Sequence, residues 1–130
     1  MRPRNTQQRR AIREALESAD RPLSPQEILD AAQGSIPGLG IATVYRNIKS
    51  LVEEGWLQPV DLPGAASRYE VAGKHHHHHF HCRQCDKVFE VDDCPPNLEH
   101  LTPRGFELET HEIILYGTCS ACVSPPTAQL

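Results

Sequence analysis

The chain has 130 residues, 38% of them hydrophobic and 5% aromatic, and its net charge of −4 comes wholly from the second half, since positions 1–72 balance. That length suits one ordinary domain or two small ones with thin cores, and no apolar run approaches the roughly 20 residues of a membrane-spanning helix. The opening "MRPRNTQQRR" lacks the apolar stretch of a secretory signal, so the expected compartment is a reducing cytoplasm, where cysteines serve metals more often than disulfides.

In chain order, Arg2, Arg4, Arg9, Arg10 and Arg13 all precede the first acid, Glu14. Such a cluster either meets phosphates or forms a solvated arm. Residues 7–18, "QQRRAIREALES", predict a helix capped by Thr6, with Ala11, Ile12, Ala15 and Leu16 on its apolar face. Ser24-Pro25-Gln26-Glu27 is a capping box with proline at the first helical position, so a second helix starts there. After the loop "QGSIPGLG", the run "IATVYRNIKSLVEEG" predicts a third helix with Val44, Ile48, Leu51 and Val52 in one stripe, ended by Gly55. "WLQPV" and "SRYEV", joined by "DLPGAA", predict a hairpin. Three short helices and a hairpin describe a winged helix-turn-helix.

From His75 the pattern turns to strands: "HHHHHFHC", "KVFEVD" and "HEIILYG", with a brief helix near "NLEHL" and a loose tail at the end. Cys82-x-x-Cys85 and Cys119-x-x-Cys122, with 33 residues between the pairs, can each hold two corners of a tetrahedron. Together they suit a structural Zn²⁺ site stapling a small β-subdomain. Two redox dithiols, or unrelated buried cysteines, are the other readings. Cys94 is left over, and packs as a small apolar group or a free thiol more readily than as a ligand.

Six of the seven residues from His75 to His81 are histidines. Along a strand His75, His77, His79 and His81 project one way, and His76 and His78 the other. One run can therefore serve two metal sites on opposite faces; a solvated polar strand is the plainer alternative. Glu70 and Glu90 lie near in sequence, and Glu99, His100 and His111 farther off. No nucleophile elbow, His-Glu-x-x-His or phosphate loop is present, so no enzyme is expected.

"ATVYRNIKSLVEEGWL", "RYE", "HHHHHFHCRQC" and "GFELETHEIILYGTCSAC", in that order, resemble the ferric uptake regulator family of metal-dependent transcriptional repressors. The resemblance implies an α+β chain: a winged-helix DNA-binding domain at 1–72, a metal-binding dimerisation domain at 73–124 stapled by the four-cysteine zinc site, and a flexible tail at 125–130. It implies a homodimer on a double-stranded DNA operator, with no membrane partner. The implied DNA contacts are Arg4, Arg9, Thr43, Tyr45, Arg46, Asn47 and Lys49; Arg9 is equally suited to a structural role. Cys82, Cys85, Cys119 and Cys122 match the family's structural metal, and Glu70, His77, His79 and Glu90 its regulatory one. His76, His78 and His111 match a further site whose carboxylate has no clear counterpart, with Glu99 or His100 as substitutes. Pro22 stands near where iron and peroxide sensors offer a histidine, and His78 where many relatives have aspartate. Fewer hard ligands and more nitrogen favour Zn²⁺ over Fe²⁺ as the regulatory ion, with manganese, nickel and peroxide sensing further off. A metal buffer without DNA regulation is the rival from another class.

Overall fold

The computed structural model describes residues 3–123, with side chains from Thr6 onward. The side chain of Arg4 and the tail expected at 125–130 lie outside those residues. The chain divides into two compact units between Lys74 and His75.

The first unit begins with α1, Pro3–Ala19. It starts four residues before the expected position, so Thr6 lies inside the helix rather than capping it. Proline tolerates the first turn, where its missing N–H has no intrahelical partner anyway. Helix α2 spans Pro25–Ala32, and its capping box is complete: the Glu27 N–H donates to Ser24 Oγ at 3.1 Å, and the Ser24 N–H donates to Glu27 Oε1 at 3.0 Å. Helix α3, Ile41–Glu53, ends just before Gly55, whose φ of 82° suits glycine.

Burial alone pushes the Glu27 carboxyl up, but the Ser24 N–H and the Arg21 guanidinium at 2.7 Å outweigh it and hold it below its ordinary value. Its contribution to stability is therefore present above the unfolded-state value of 4.5 and disappears as pH falls through the lower folded value. Ser24→Ala is expected to cost about 1 kcal/mol, read as a lower denaturant midpoint at unchanged slope.

Ile12 and Leu16 of α1, Ile28 and Leu29 of α2, and Val44, Ile48 and Leu51 of α3 meet in one core. Strands β1, Leu57–Val60, and β2, Arg68–Val71, form an antiparallel hairpin with Leu57 opposite Val71. Leu23 adds a third rung, exchanging hydrogen bonds of 2.9 and 2.8 Å with Tyr69. Three helices followed by a two-stranded hairpin make up the described part of this unit.

The second unit holds β3, His78–Cys82, β4, Val88–Val91, and β5, Ile114–Gly117, in the order β4-β3-β5. β3 pairs antiparallel with β4 and parallel with β5. The histidine run is only partly strand, since His75–His77 precede β3. The expected helix near "NLEHL" is a single 3-10 turn, Leu98–Leu101, cut short by the prolines around it. No helix among the described residues is long and apolar enough to cross a membrane.

Candidate metal centres and nucleic-acid interface

The two Cys-x-x-Cys pairs converge. The Sγ atoms of Cys82, Cys85, Cys119 and Cys122 all lie within 4.8 Å of one another. Four sulfurs at about 2.3 Å from a zinc ion stand about 3.8 Å apart, and Cys85 and Cys119 are 3.8 Å apart. The first pair sits on the turn after β3, where Asp86 takes a φ of 66° and its N–H returns to the Cys82 carbonyl at 3.0 Å. Backbone N–H groups of Cys85 at 3.4 Å and Cys119 at 3.3 Å point at Cys82 Sγ. These donors bring the Cys82 thiol down to about 6, whereas the Cys119 thiol and burial push Cys122 up to about 12. Four crowded thiolates need a cation, so metal uptake releases protons. The donor set and spacing fit Zn²⁺.

His77 and His79 part from His76 and His78, although only His78 and His79 of these lie in β3. His77 and His79 approach with ring centroids 4.9 Å apart. Glu90 faces His79 directly across the β3–β4 ladder, and cross-strand partners project from the same face. His77 Nδ1 donates to the His75 carbonyl at 2.8 Å, which leaves Nε2 as the neutral ring's acceptor, the state a metal ligand requires. Glu70 lies on β2 of the first unit, 2% exposed, and accepts from Gln58 Nε2 at 2.7 Å. His81 is engaged elsewhere, with Nε2 2.6 Å from Asp86 Oδ1.

On the other face His76, His78 and His111 come together, and the fourth member is Cys94. Four contacts close a ring: His76 Nε2 to His78 Nε2 at 3.0 Å, His78 Nε2 to Cys94 Sγ at 3.1 Å, Cys94 Sγ to His111 Nε2 at 3.1 Å, and His111 Nε2 to His76 Nε2 at 3.1 Å. Glu99 and His100, the expected substitutes for the missing carboxylate, instead stand exposed on the Leu98–Leu101 turn. Nor does Cys94 pack merely as an apolar filler. Sequence spacing gave no pairing for it, because the fold alone brings its loop back over the strand; three histidines lacking a fourth donor were the available signal.

His78 is 2% exposed. Burial, with His76 and His111 beside it, holds its imidazole below the ordinary value and so neutral at pH 7. The Ile113 N–H donates to its Nδ1 at 3.2 Å, which orients Nε2 toward Cys94. That contact leaves a neutral ring's proton on Nε2, so an ion binding there displaces it.

On α3, Tyr45 is 55% exposed and Arg46 and Lys49 also face solvent. Arg46 Nη2 donates to Thr43 Oγ1 at 2.9 Å, and Asn47 Nδ2 to the Thr43 carbonyl at 2.9 Å. Gln8, Arg9, Thr43, Arg46 and Asn47 line an open cleft of about 240 Å³. Arg9 ties α1 to α3, donating to Ser50 Oγ at 3.1 Å and pairing with Glu54, whose carboxyl it holds below the usual value. Arg13 stacks over the Trp56 ring at 4.6 Å.

A model of the Ferric uptake regulator family matches residues 2–116. The zinc uptake regulation protein of Mycobacterium tuberculosis is 36% identical over 124 residues, spanning 93% of this chain and 95% of that protein. Among solved structures, a zinc-bound manganese uptake regulator superposes with a TM-score of 0.75 at 30% identity, covering 86% of this chain and 87% of its own. The Helicobacter pylori ferric uptake regulator, described as having three functional metal binding sites, gives 0.68 at 26% identity, covering 92% and 81%.

Proposed function

Because this chain belongs to the ferric uptake regulator family, we propose that it is a zinc-responsive repressor that binds a pseudo-palindromic operator in the cytoplasm. Members of the family are metal-responsive transcriptional regulators that act as DNA-binding dimers, and this chain is a regulator rather than an enzyme. In this reading the 1–72 segment reads DNA and the 73–124 segment carries the metals and the dimer contact.

The observation that supports the reading is the approach of the His77 and His79 rings at the start of the second unit, with Glu90 opposite His79 in the β3–β4 ladder. Glu70, a buried carboxylate on the wing, is proposed as the ligand from the other unit. An ion shared between them would narrow the orientations open to the recognition helices, so that a larger fraction of dimers matches successive major grooves. Zinc is favoured by the imidazole-rich donor set, by Pro22 where a further histidine would extend the shell, and by the similarity to a zinc uptake regulator.

The exposed Tyr45 and Arg46 side chains on α3 suit base-edge contacts, Arg46 to a guanine and Tyr45 to a thymine methyl. Arg46→Ala is expected to weaken operator binding about tenfold to a hundredfold and to relax preference at one base pair. Lys49→Ala should weaken all sequences alike and lower the salt dependence. Titrating labelled operator with and without zinc tests the switch itself; a metal-independent Kd would refute it, and a response to Fe²⁺ alone would reassign the ion.

A further inference from the structure

We propose that Gln58 is a positioning residue for the regulatory metal: its side-chain amide holds Oε2 of Glu70, so that this carboxylate meets an ion through Oε1 alone. This role rests on the reading of Glu70 as a ligand and adds the residue that sets how it binds. A carboxylate limited to one oxygen favours an ion with four positions over one with six.

The hairpin builds the pair. Gln58 on β1 stands directly opposite Glu70 on β2, and opposed residues of a ladder project from the same face. Gln58 Nε2 donates to Glu70 Oε2 at 2.7 Å. The backbone on both strands is restrained. Gln58 precedes Pro59, and a residue before proline is confined to extended conformations. Tyr69, next to Glu70, exchanges hydrogen bonds with Leu23 on the edge of β2 away from β1, and the Ala72 N–H reaches the Trp56 carbonyl at 2.9 Å. Glu70 is therefore held in register from both edges of its strand.

The chemistry of the partner matters as much as its place. Glu70 is 2% exposed, and a buried carboxylate is costly unless it is hydrogen-bonded. An amide supplies a donor without supplying charge. It steadies Glu70 and leaves the negative charge that a cation requires, which a lysine or arginine at position 58 would offset. Hydrogen bonds behind metal ligands fix their orientation and are worth about 10- to 100-fold in metal affinity.

The preference among ions follows from the same contact. Four-coordinate Zn²⁺ takes one atom from each ligand, whereas six-coordinate Mn²⁺ and Fe²⁺ have room for a second carboxylate oxygen. Engaging Oε2 keeps Glu70 to the first mode.

The test titrates the full chain without DNA against a chromophoric chelator, with zinc retained at the four-cysteine site. The regulatory site is the binding event that a His77→Ala, His79→Ala variant lacks. Gln58→Leu is expected to lower its Zn²⁺ affinity about tenfold or more and its Mn²⁺ affinity by less, so that the preference for zinc narrows. In a Glu70→Gln background, Gln58→Leu should have no further effect on either ion, because the amide acts only through that carboxylate. A purely structural role in the hairpin weakens both ions alike. Equal losses, an unchanged zinc affinity, or an undiminished loss in the Glu70→Gln background would each overturn the proposal. If Glu70→Gln itself leaves zinc affinity intact, the ligand reading falls and takes the role of Gln58 with it. If Glu70→Gln weakens zinc and Gln58→Leu does not, only the role of Gln58 falls.

A second measurement needs no change at position 58. Infrared difference spectra, zinc-loaded minus zinc-free, report carboxylate stretches. The antisymmetric and symmetric bands lie far apart when one oxygen binds the ion and close together when both do. The bands that Glu70→Gln removes should be widely split in the unaltered chain; a narrow splitting would show both oxygens on the ion and overturn the proposal.

Discussion

Replacing Cys82 with serine will release the structural zinc and melt the unit from His75 onward, while helices α1 to α3 remain folded. The asymmetry lies in the cores. The first unit joins Ile12, Leu16, Ile28, Val44, Ile48 and Leu51 in a continuous apolar cluster. Among the described residues of the second unit, the buried hydrophobic ones are only Cys82 and Val88. A three-stranded sheet with that little apolar burial falls short of the ordering entropy it must offset.

Zinc makes up the difference. Apparent binding free energies at structural four-ligand sites run to about 10–16 kcal/mol in zinc-finger peptides, comparable with the entire stability of an ordinary domain. Serine removes the thiolate on which two backbone N–H groups converge. The measurement is zinc content alongside circular dichroism. Helical signal should survive with its own melting transition, and strand-region amides should lose hydrogen-exchange protection. A zinc-free variant with a protected β3 would show that the sheet stands without its staple.

A His77→Ala, His79→Ala double variant will bind operator with the same Kd in the presence and absence of zinc, close to the metal-free value of the unaltered chain. Coupling between two sites in one protein is typically worth about 1–3 kcal/mol, or about 5- to 150-fold in affinity, and the variant should lose all of it. By reciprocity, operator DNA must tighten zinc binding in the unaltered protein by the same factor that zinc tightens operator binding. Calorimetric zinc titrations with and without DNA check the second half of that cycle. Retained zinc dependence in the double variant would move the switch to another site, and a Cys94→Ser variant would show whether the opposite face carries it.

Much of the first unit was legible in the sequence because its signals are local. The capping box at Ser24 and the stripe of Val44, Ile48 and Leu51 rest on residues three or four apart, and both appear as expected. The convergence of the two cysteine pairs was also legible, since Cys-x-x-Cys encodes half a tetrahedron within four residues. Alternation alone assigned His76 and His78 to one face and His77 and His79 to the other, and the ring contacts follow that division. The start of α1 is not legible in the sequence, because an unsatisfied first turn is tolerated equally well at Pro3 or Thr6.

Tertiary structure alone decided where the leftover cysteine sits. Cys94 sits 16 residues from His78 and 17 from His111, separations that no helical or strand period encodes. Only the return of β4 along β3, and of β5 on the other side, brings its sulfur onto the histidines. Arg9 is similar: charge marked it for phosphate, and the packing of α1 on α3 placed Ser50 and Glu54 beside it. Local periodicity fixes which face a side chain takes, whereas its partner across a sheet or between helices depends on chain return, which covalent spacing does not specify.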